Sequence, residues 1–273
     1  MLRCAGIAFT LCLAAAAAHG QGLRVSTVIY DAGRLDAAGQ EPILSSSFSL
    51  FHNGRAYDYV ESAREVVIFE PAARRFTVIQ PDRGVYTSIP FTEVQHLLQA
   101  REPRAEEYVR ELTAKKSPET ERAARMLAFQ LNPKFTTDFN NRTGLLTLKA
   151  PSWKYLVSTR EWDDTDQLQK YLTYTDWTAR LNYVLHPNSM FPEPRLALNE
   201  ELRRLGNRIP VVVQLDLRPD ERLLLRAEHQ FVKNLTDHDR RLITEWDAAV
   251  RDGGLKKVPL RKYQESILVS QGR

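Results

Sequence analysis

The turn signal Asn53-Gly54, set between two alternating runs, constrains the fold of this chain more than any other feature. Residues 43–52 and 55–60 repeat with a period of two, which is typical of β-strands with one apolar face. A two-residue hairpin turn needs positive φ at both positions, and Asn-Gly tolerates that conformation well. The sequence therefore predicts an antiparallel hairpin whose register is fixed by this turn. Its predicted opposite pairs are His52 with Arg55, Leu50 with Tyr57, and Phe48 with Tyr59.

The period of two continues to Pro90, after which helical spacing begins. Predicted strands span residues 23–31, 43–52, 55–60, 66–69, 76–79, 85–89, 135–139, 144–149, 153–159, 209–217 and 223–232. Predicted helices span residues 92–99, 103–114, 118–131, 165–185, 194–205 and 236–250. This order predicts an α+β fold: a curved, half-barrel-like antiparallel β-sheet with inserted helices packed on one face. Residues 21–252 are expected to form a single α+β domain, followed by a basic C-terminal tail at 253–273.

Residues 1–20 have the layout of a cleaved secretory signal peptide. A positive charge at Arg3 precedes an apolar, alanine-rich run that is short for a membrane span. Both cysteines, Cys4 and Cys12, lie in this segment, so the mature chain is expected to have no thiol, no disulfide and no transmembrane segment. We therefore predict an exported protein, periplasmic or extracellular. The missing disulfides favour a bacterial envelope.

The charge of the chain is mild and well mixed. The formal net charge is +4, and basic residues are spread among acidic ones, so we predict no nucleic-acid binding. The motifs of serine hydrolases, zinc peptidases, P-loop NTPases and dinucleotide-binding proteins are not found in the sequence. The histidines are scattered singly, without metal-ligand spacing. The sequence thus predicts no cofactor and favours a protein without catalytic activity, although a pair of carboxylates distant in sequence is left open.

A cluster of acidic residues at 161–166 comes just before the helix predicted at 165–185. Asp163, Asp164 and Asp166 offer alternate oxygen ligands for calcium, but the glycine and the distal glutamate of an EF-hand loop are missing. The alternative is a helix start, in which Asp164 or the residue after it caps the first turn and the acids meet the positive end of the helix dipole. We predict no bound metal and keep these aspartates as calcium candidates.

The helix that follows this cluster carries aromatic residues along one stripe. Tyr171 and Tyr174 fall at helical spacing, and Trp177 lies at the edge of their stripe. Aromatic residues with a polar group suit a groove that is apolar inside and hydrated at one end. The alternative is that the stripe packs the helix on the sheet. Together with the apolar face of the hairpin, the candidate groove residues are Phe48, Leu50, Tyr57, Tyr59, Tyr171, Tyr174 and Trp177.

The order of the predicted elements carries a resemblance. A signal peptide is followed by the hairpin LFHNGRAYD at 50–58, a strand pair around Phe69-Glu70-Pro71 and a late hairpin that begins Ile209-Pro210-Val211. This order is similar to the periplasmic lipoprotein-carrier (LolA/LolB-like) architecture, and the resemblance covers residues 23–250. It implies a curved antiparallel half-barrel, covered by helices, that can hold an acyl chain.

Three functions fit these observations. The first is an exported, non-enzymatic binding protein with an apolar groove for a lipid-like ligand or a protein segment, favoured by the one-faced hairpin and the aromatic helix. The alternative is a structural or interaction module of the bacterial envelope, which contacts an envelope protein through sheet edges or charged helices. The third is an envelope hydrolase with a carboxylate pair that the sequence does not locate.

Overall fold

Early and late strands of the chain join in one open, curled sheet. The computed structural model describes residues 22–186, 189–218 and 223–271, with side chains as far as Glu265. The strands are β1 (Leu23–Asp31), β2 (Ile43–His52), β3 (Arg55–Val60), β4 (Glu65–Glu70), β5 (Arg75–Gln80), β6 (Val85–Pro90), β7 (Thr136–Asn140), β8 (Leu145–Ala150), β9 (Trp153–Glu161), β10 (Arg208–Asp216), β11 (Leu224–Lys233) and β12 (Lys256–Lys257). Their order in the sheet is β12-β6-β5-β4-β3-β2-β1-β11-β10-β9-β8-β7, and β12 with β6 is the one parallel pair among the described strands. The predicted α+β class with a curved antiparallel sheet is confirmed. The predicted signal peptide at 1–20, with both cysteines, lies outside the described residues.

The hairpin around Asn53-Gly54 has the predicted register. Its observed pairs include His52 with Arg55, Leu50 with Tyr57, and Phe48 with Tyr59. Asn53 and Gly54 have φ of 48° and 73°, the positive values that this two-residue turn requires. A Cβ added at Gly54 would meet nothing within 4 Å. Glycine is therefore favoured at this position by backbone conformation rather than by lack of space.

A short 3₁₀ helix at Pro81–Arg83 and six α-helices are described, and several of the α-helices begin at a side-chain cap. They are α1 (Phe91–Ala114), α2 (Pro118–Leu131), α3 (Thr165–Leu185), α4 (Glu193–Leu205), α5 (Asp237–Arg251) and α6 (Leu260–Gln271). Ser117 and Thr236 each form a reciprocal capping box with the residue three positions later. Helix α1 runs without a break across Pro103, so the predicted division into two helices is wrong; its packing on α2 and α3 compensates for the hydrogen bond that a proline removes. Within the described ranges, no helix has the length and apolar character needed to cross a membrane.

Strand alternation divides the core between the two faces of the sheet. The inner face, which carries Val67 and Phe69, is covered by α1, α2, α3, α4 and α6. The outer face, which carries Leu50 and Ile68, is covered by α5 through Trp246. Five helices thus pack on one face of the sheet. The remaining helix, α5, builds a second core on the other face.

The described part of the predicted basic tail at 253–273 packs against the sheet. Strand β12 pairs with β6, and the backbone N–H of Lys256 donates to the carbonyl of Gly84 at 2.7 Å. Leu260 and Tyr263 of α6 belong to the inner-face core, and Tyr263 is fully buried. The segment therefore closes the inner face instead of extending into solvent.

Candidate functional site

A groove of about 700 Å³ opens at one rim of the sheet, between the first turns of α3 and the ends of strands β1 to β4. We call it the rim groove. Its lining residues are Leu23, Phe51, Ala56 and Phe69 on the strands, His52, Asn53, Gly54, Arg55 and Pro71 at strand ends and turns, and Asp164, Asp166, Gln167, Gln169, Lys170 and Thr173 at α3. The groove thus has an apolar wall, an edge made of turns and a helical wall.

The apolar wall is a single row of side chains across four strands. The paired residues of this row are, in order, Leu23, Phe51, Ala56 and Phe69. Paired residues on neighbouring strands project from the same face. Ala56, between the two phenylalanines, is 1% exposed, so its short side chain is covered by its neighbours. The next residue toward the turn, Arg55, points to the outer face because side chains alternate, so the row stays apolar.

Aromatic side chains of α1 and α3 pack against the phenylalanines of this wall. The ring of Tyr174 lies edge-on to Phe51 at 5.3 Å between centroids and to Phe69 at 5.9 Å. Phe69 also stacks on Phe91 of α1 at 5.5 Å. Aromatic contacts of this kind add ~0.5–1.5 kcal/mol each beyond simple burial. The shape of the apolar wall is therefore set by the core, without help from a ligand.

The helical wall combines a capped helix start with a surface ion pair. Asp164 accepts a hydrogen bond from the backbone N–H of Gln167 at 2.9 Å and so caps α3. Asp166 forms an ion pair with Lys170 one turn later, and Thr173 is exposed on the same side of the helix. Because both acids already have partners, this wall presents little uncompensated charge to the groove.

The side chain of Gln167 is buried in the groove wall without hydrogen bonds. The residue is 7% exposed, and neither Oε1 nor Nε2 has a partner among the described residues. A carboxamide offers one acceptor oxygen and two N–H donors, and a buried polar group left unpaired costs about 1–3 kcal/mol. Gln169, two positions later, is exposed to solvent. The unpaired amide is thus particular to position 167.

The structure divides the seven predicted groove residues between the two faces of the sheet. Four of them lie on the outer face. The rings of Phe48, Tyr57 and Tyr59 lie 6.3, 6.3 and 6.2 Å from the ring of Trp246. Leu50 is fully buried beside them. These residues form the core under α5, because that helix closes over the hairpin.

The three candidates on α3 lie on the inner face. Tyr171 and Tyr174 are buried, and Trp177 stacks on Phe91 at 3.8 Å between centroids. They pack the helix on the sheet, and none of the seven is among the lining residues of the rim groove. The sheet itself separates the two groups, so the seven residues do not line one groove.

The three calcium candidates are held by separate partners. Asp163 forms an ion pair with Lys233, Asp164 caps α3, and Asp166 pairs with Lys170. In the described ranges, no group of three His, Cys, Asp or Glu residues is placed to hold a metal ion. The helix-start interpretation accounts for Asp164 directly.

Two buried carboxyl groups, which the sequence did not single out, lie in the inner-face core. Asp58 accepts a hydrogen bond from the Ser49 hydroxyl at 2.6 Å, and Glu65 accepts one from the Tyr263 hydroxyl at 2.5 Å. Burial raises the pKa of both carboxyls above their ordinary values. Neither residue lines the rim groove, so the groove does not present this pair to a substrate.

Two other cavities are lined differently. On the outer face, about 450 Å³ is lined largely by charges already in ion pairs, such as Arg75 with Glu70 at 2.8 Å. Between α1 and α2, about 670 Å³ is lined by two arginines, two methionines and the exposed Tyr108, among others. Of these three cavities, the rim groove is the one with a continuous apolar row and a polar side chain that lacks a partner among the described residues.

Sequence reasoning missed the residues that build the rim groove. Phe51 and Ala56 lie on the face of the hairpin opposite to the predicted candidates, and Phe69 belongs to the next hairpin. Gln167 falls four residues before Tyr171, in phase with the aromatic stripe of α3. That spacing was the available signal for its burial.

No protein-family model matches the chain, and a search of curated proteins finds no significantly similar sequence. The geometry therefore defines the class: an α+β protein with an open, curled sheet and an apolar groove at its rim.

Proposed function

We propose that the protein is an exported, non-enzymatic binding protein that holds the acyl chain of a lipid-like ligand in the rim groove. The observation that carries this proposal is the continuous apolar row from Leu23 to Phe69, which faces a groove of about 700 Å³. Small-molecule sites usually enclose about 300–1,000 Å³, with mostly apolar walls and a few polar groups. The rim groove agrees with that description in size, and it combines an apolar wall on the sheet with a polar wall on α3.

Burial of methylene groups supplies the affinity for such a ligand. Each CH₂ moved from water onto an apolar wall contributes ~0.8 kcal/mol. Phe51 and Phe69 are already held by Tyr174, so little side-chain ordering opposes binding. The ion pair of Asp166 with Lys170 lies on the helical wall, where a polar headgroup can remain in water.

The groups around the groove favour binding over catalysis. Asp164 is engaged as a helix cap and Asp166 in an ion pair. Asp58 and Glu65 are enclosed in the core. None of these four carboxyls is placed to exchange a proton with a ligand in the rim groove, so the hydrolase alternative gains no support from it.

Export to the periplasm or the extracellular space is part of the same proposal. The signal-peptide layout of residues 1–20 supports it. Fractionation of cells that express the full chain tests the location. Recovery of the protein in the cytoplasm, with residues 1–20 intact, would contradict export.

Ligand binding is tested with N-phenylnaphthylamine, an uncharged probe that fluoresces in apolar sites. We expect saturable binding to the protein and displacement by methyl palmitate. Thr173→Trp should weaken binding at least tenfold, because the indole enters the groove from the exposed face of α3. Thr165→Trp is the matched control, since Thr165 is exposed on the same helix but does not line the groove.

Two results would count against the proposal. One is probe binding that Thr173→Trp leaves unchanged, which would place the probe elsewhere. The other is the absence of both probe binding and co-purified lipid in native mass spectra of the protein isolated from cells.

A further inference from the structure

The side chain of Gln167 departs from a rule that most buried polar groups obey. Natural cores leave few buried polar groups unpaired, and the carboxamide of Gln167 has no partner for its oxygen or its nitrogen among the described residues. Leucine is a common buried residue on this helix, as Leu168 and Leu172 show nearby. Departures from local rules of this kind are expected at functional sites.

We propose that Gln167 recognises an amide in the ligand, so that the bound molecule is an acyl chain joined to an amine through an amide bond. This inference rests on the proposed function of the rim groove. Gln167 lines the rim groove, and its carboxamide is buried there without a partner among the described residues. On ligand binding, its oxygen accepts a hydrogen bond from the amide N–H, a donor that an ester lacks.

The single anchor favours an acyl amide over a peptide segment. An extended peptide carries an N–H and a C=O at every residue, and each of these groups needs a partner once it is buried. The apolar row opposite α3 offers side chains without polar atoms, namely Leu23, Phe51, Ala56 and Phe69. A ligand with one amide and an otherwise apolar chain matches this distribution.

The helical wall near Gln167 favours a neutral group over a carboxylate. Lys170 is already paired with Asp166, and Asp164 caps α3, so this wall offers a carboxylate no unpaired cation. A free fatty acid is ionised at neutral pH, and its carboxylate would lose water there without gaining a partner. An amide carries both a donor and an acceptor without charge, so it avoids that cost.

The test compares palmitoyl methylamide with methyl palmitate, two uncharged ligands of equal chain length that differ in the N–H group. Each ligand displaces N-phenylnaphthylamine from the full protein. We expect the wild-type protein to bind the amide about tenfold more tightly than the ester, which corresponds to ~1.4 kcal/mol. Gln167→Leu should bind both ligands with the affinity of the ester. Gln169→Leu, the same change at the exposed position, should keep the preference.

The outcomes separate this inference from the function on which it rests. Equal binding of amide and ester by the wild-type protein overturns the role of Gln167 and leaves acyl binding intact. A preference that persists in Gln167→Leu also overturns it. If neither ligand displaces the probe, the proposed function fails as well.

Discussion

Replacing Gln167 with leucine is expected to stabilise the ligand-free protein, although most core substitutions destabilise. The carboxamide loses its hydrogen bonds to water on folding and finds no partner among the described residues. Leucine has a similar size and carries no polar atom, so the same burial becomes favourable. A gain in stability at the cost of ligand recognition is the pattern expected when a residue is kept for function.

The size of the effect follows from the burial of the amide. With the residue 7% exposed, the unpaired group costs about 1–3 kcal/mol, and we expect Gln167→Leu to recover ~2 kcal/mol of that. For a chain of this length, such a gain raises the melting temperature by roughly 4–8 °C. Urea denaturation followed by the fluorescence of the four tryptophans measures the change directly.

The matched control is Gln169→Leu. It makes the same chemical change on the same helix, two residues later and at an exposed position, so differences in helix propensity cancel. We expect it to alter the free energy of unfolding by less than about 0.5 kcal/mol. A Gln167→Leu variant that is no more stable than Gln169→Leu would refute the reasoning, since the carboxamide would then be satisfied in the native protein.

Three further predictions concern the cores around the groove. Asp58→Asn should gain stability relative to the wild type as pH rises above 3.8, the ordinary pKa of this carboxyl, because burial raises the pKa of Asp58 in the folded protein and ionisation of the buried group then destabilises the wild type. Urea denaturation between pH 4 and 8 measures the difference in free energy of unfolding between the two proteins; a difference that stays constant with pH contradicts this. Tyr263→Phe should lower the free energy of unfolding by about 1–3 kcal/mol, because the buried carboxyl of Glu65 loses its hydrogen-bond donor. Limited proteolysis of this variant should cut near α6 first, and an unchanged cleavage pattern argues against this. Trp246→Ala should lower the free energy of unfolding by ~3–5 kcal/mol without changing the affinity for N-phenylnaphthylamine, since α5 lies on the outer face. A large loss of affinity in the folded variant would mean that the probe binds on the outer face.

Features set by neighbouring residues could be predicted from the sequence. The register of the β2–β3 hairpin followed from Asn53-Gly54 and the alternation beside it, because turn and pattern agree within a few residues. The capping boxes at Ser117 and Thr236 are equally local, since each joins a residue to the one three positions later. The seven candidate groove residues lie on two faces of the sheet. The pattern within a strand or a helix does not indicate which face of the sheet a distant helix will cover.

The groove itself depends on parts of the chain that are far apart in sequence. Leu23 begins the first strand, Phe69 lies one residue before the end of the fourth, and Gln167 comes nearly a hundred residues later. Their meeting is decided by the path of α3 across the inner face, which no local pattern encodes. The C-terminal helix shows the same limit, since Tyr263 lies in a basic stretch and its burial depends on reaching Glu65 across the fold.

Photo-crosslinking tests the central claim, that the rim groove holds an acyl chain, most directly. The wild-type protein is irradiated with an acyl methyl ester that carries a diazirine in its chain, and the labelled peptides are mapped by mass spectrometry. We predict labels at residues 51–56 and 164–173, on the two walls of the groove, and their loss in Thr173→Trp. Labels confined to α5 on the outer face, or labelling that Thr173→Trp does not reduce, would contradict the claim.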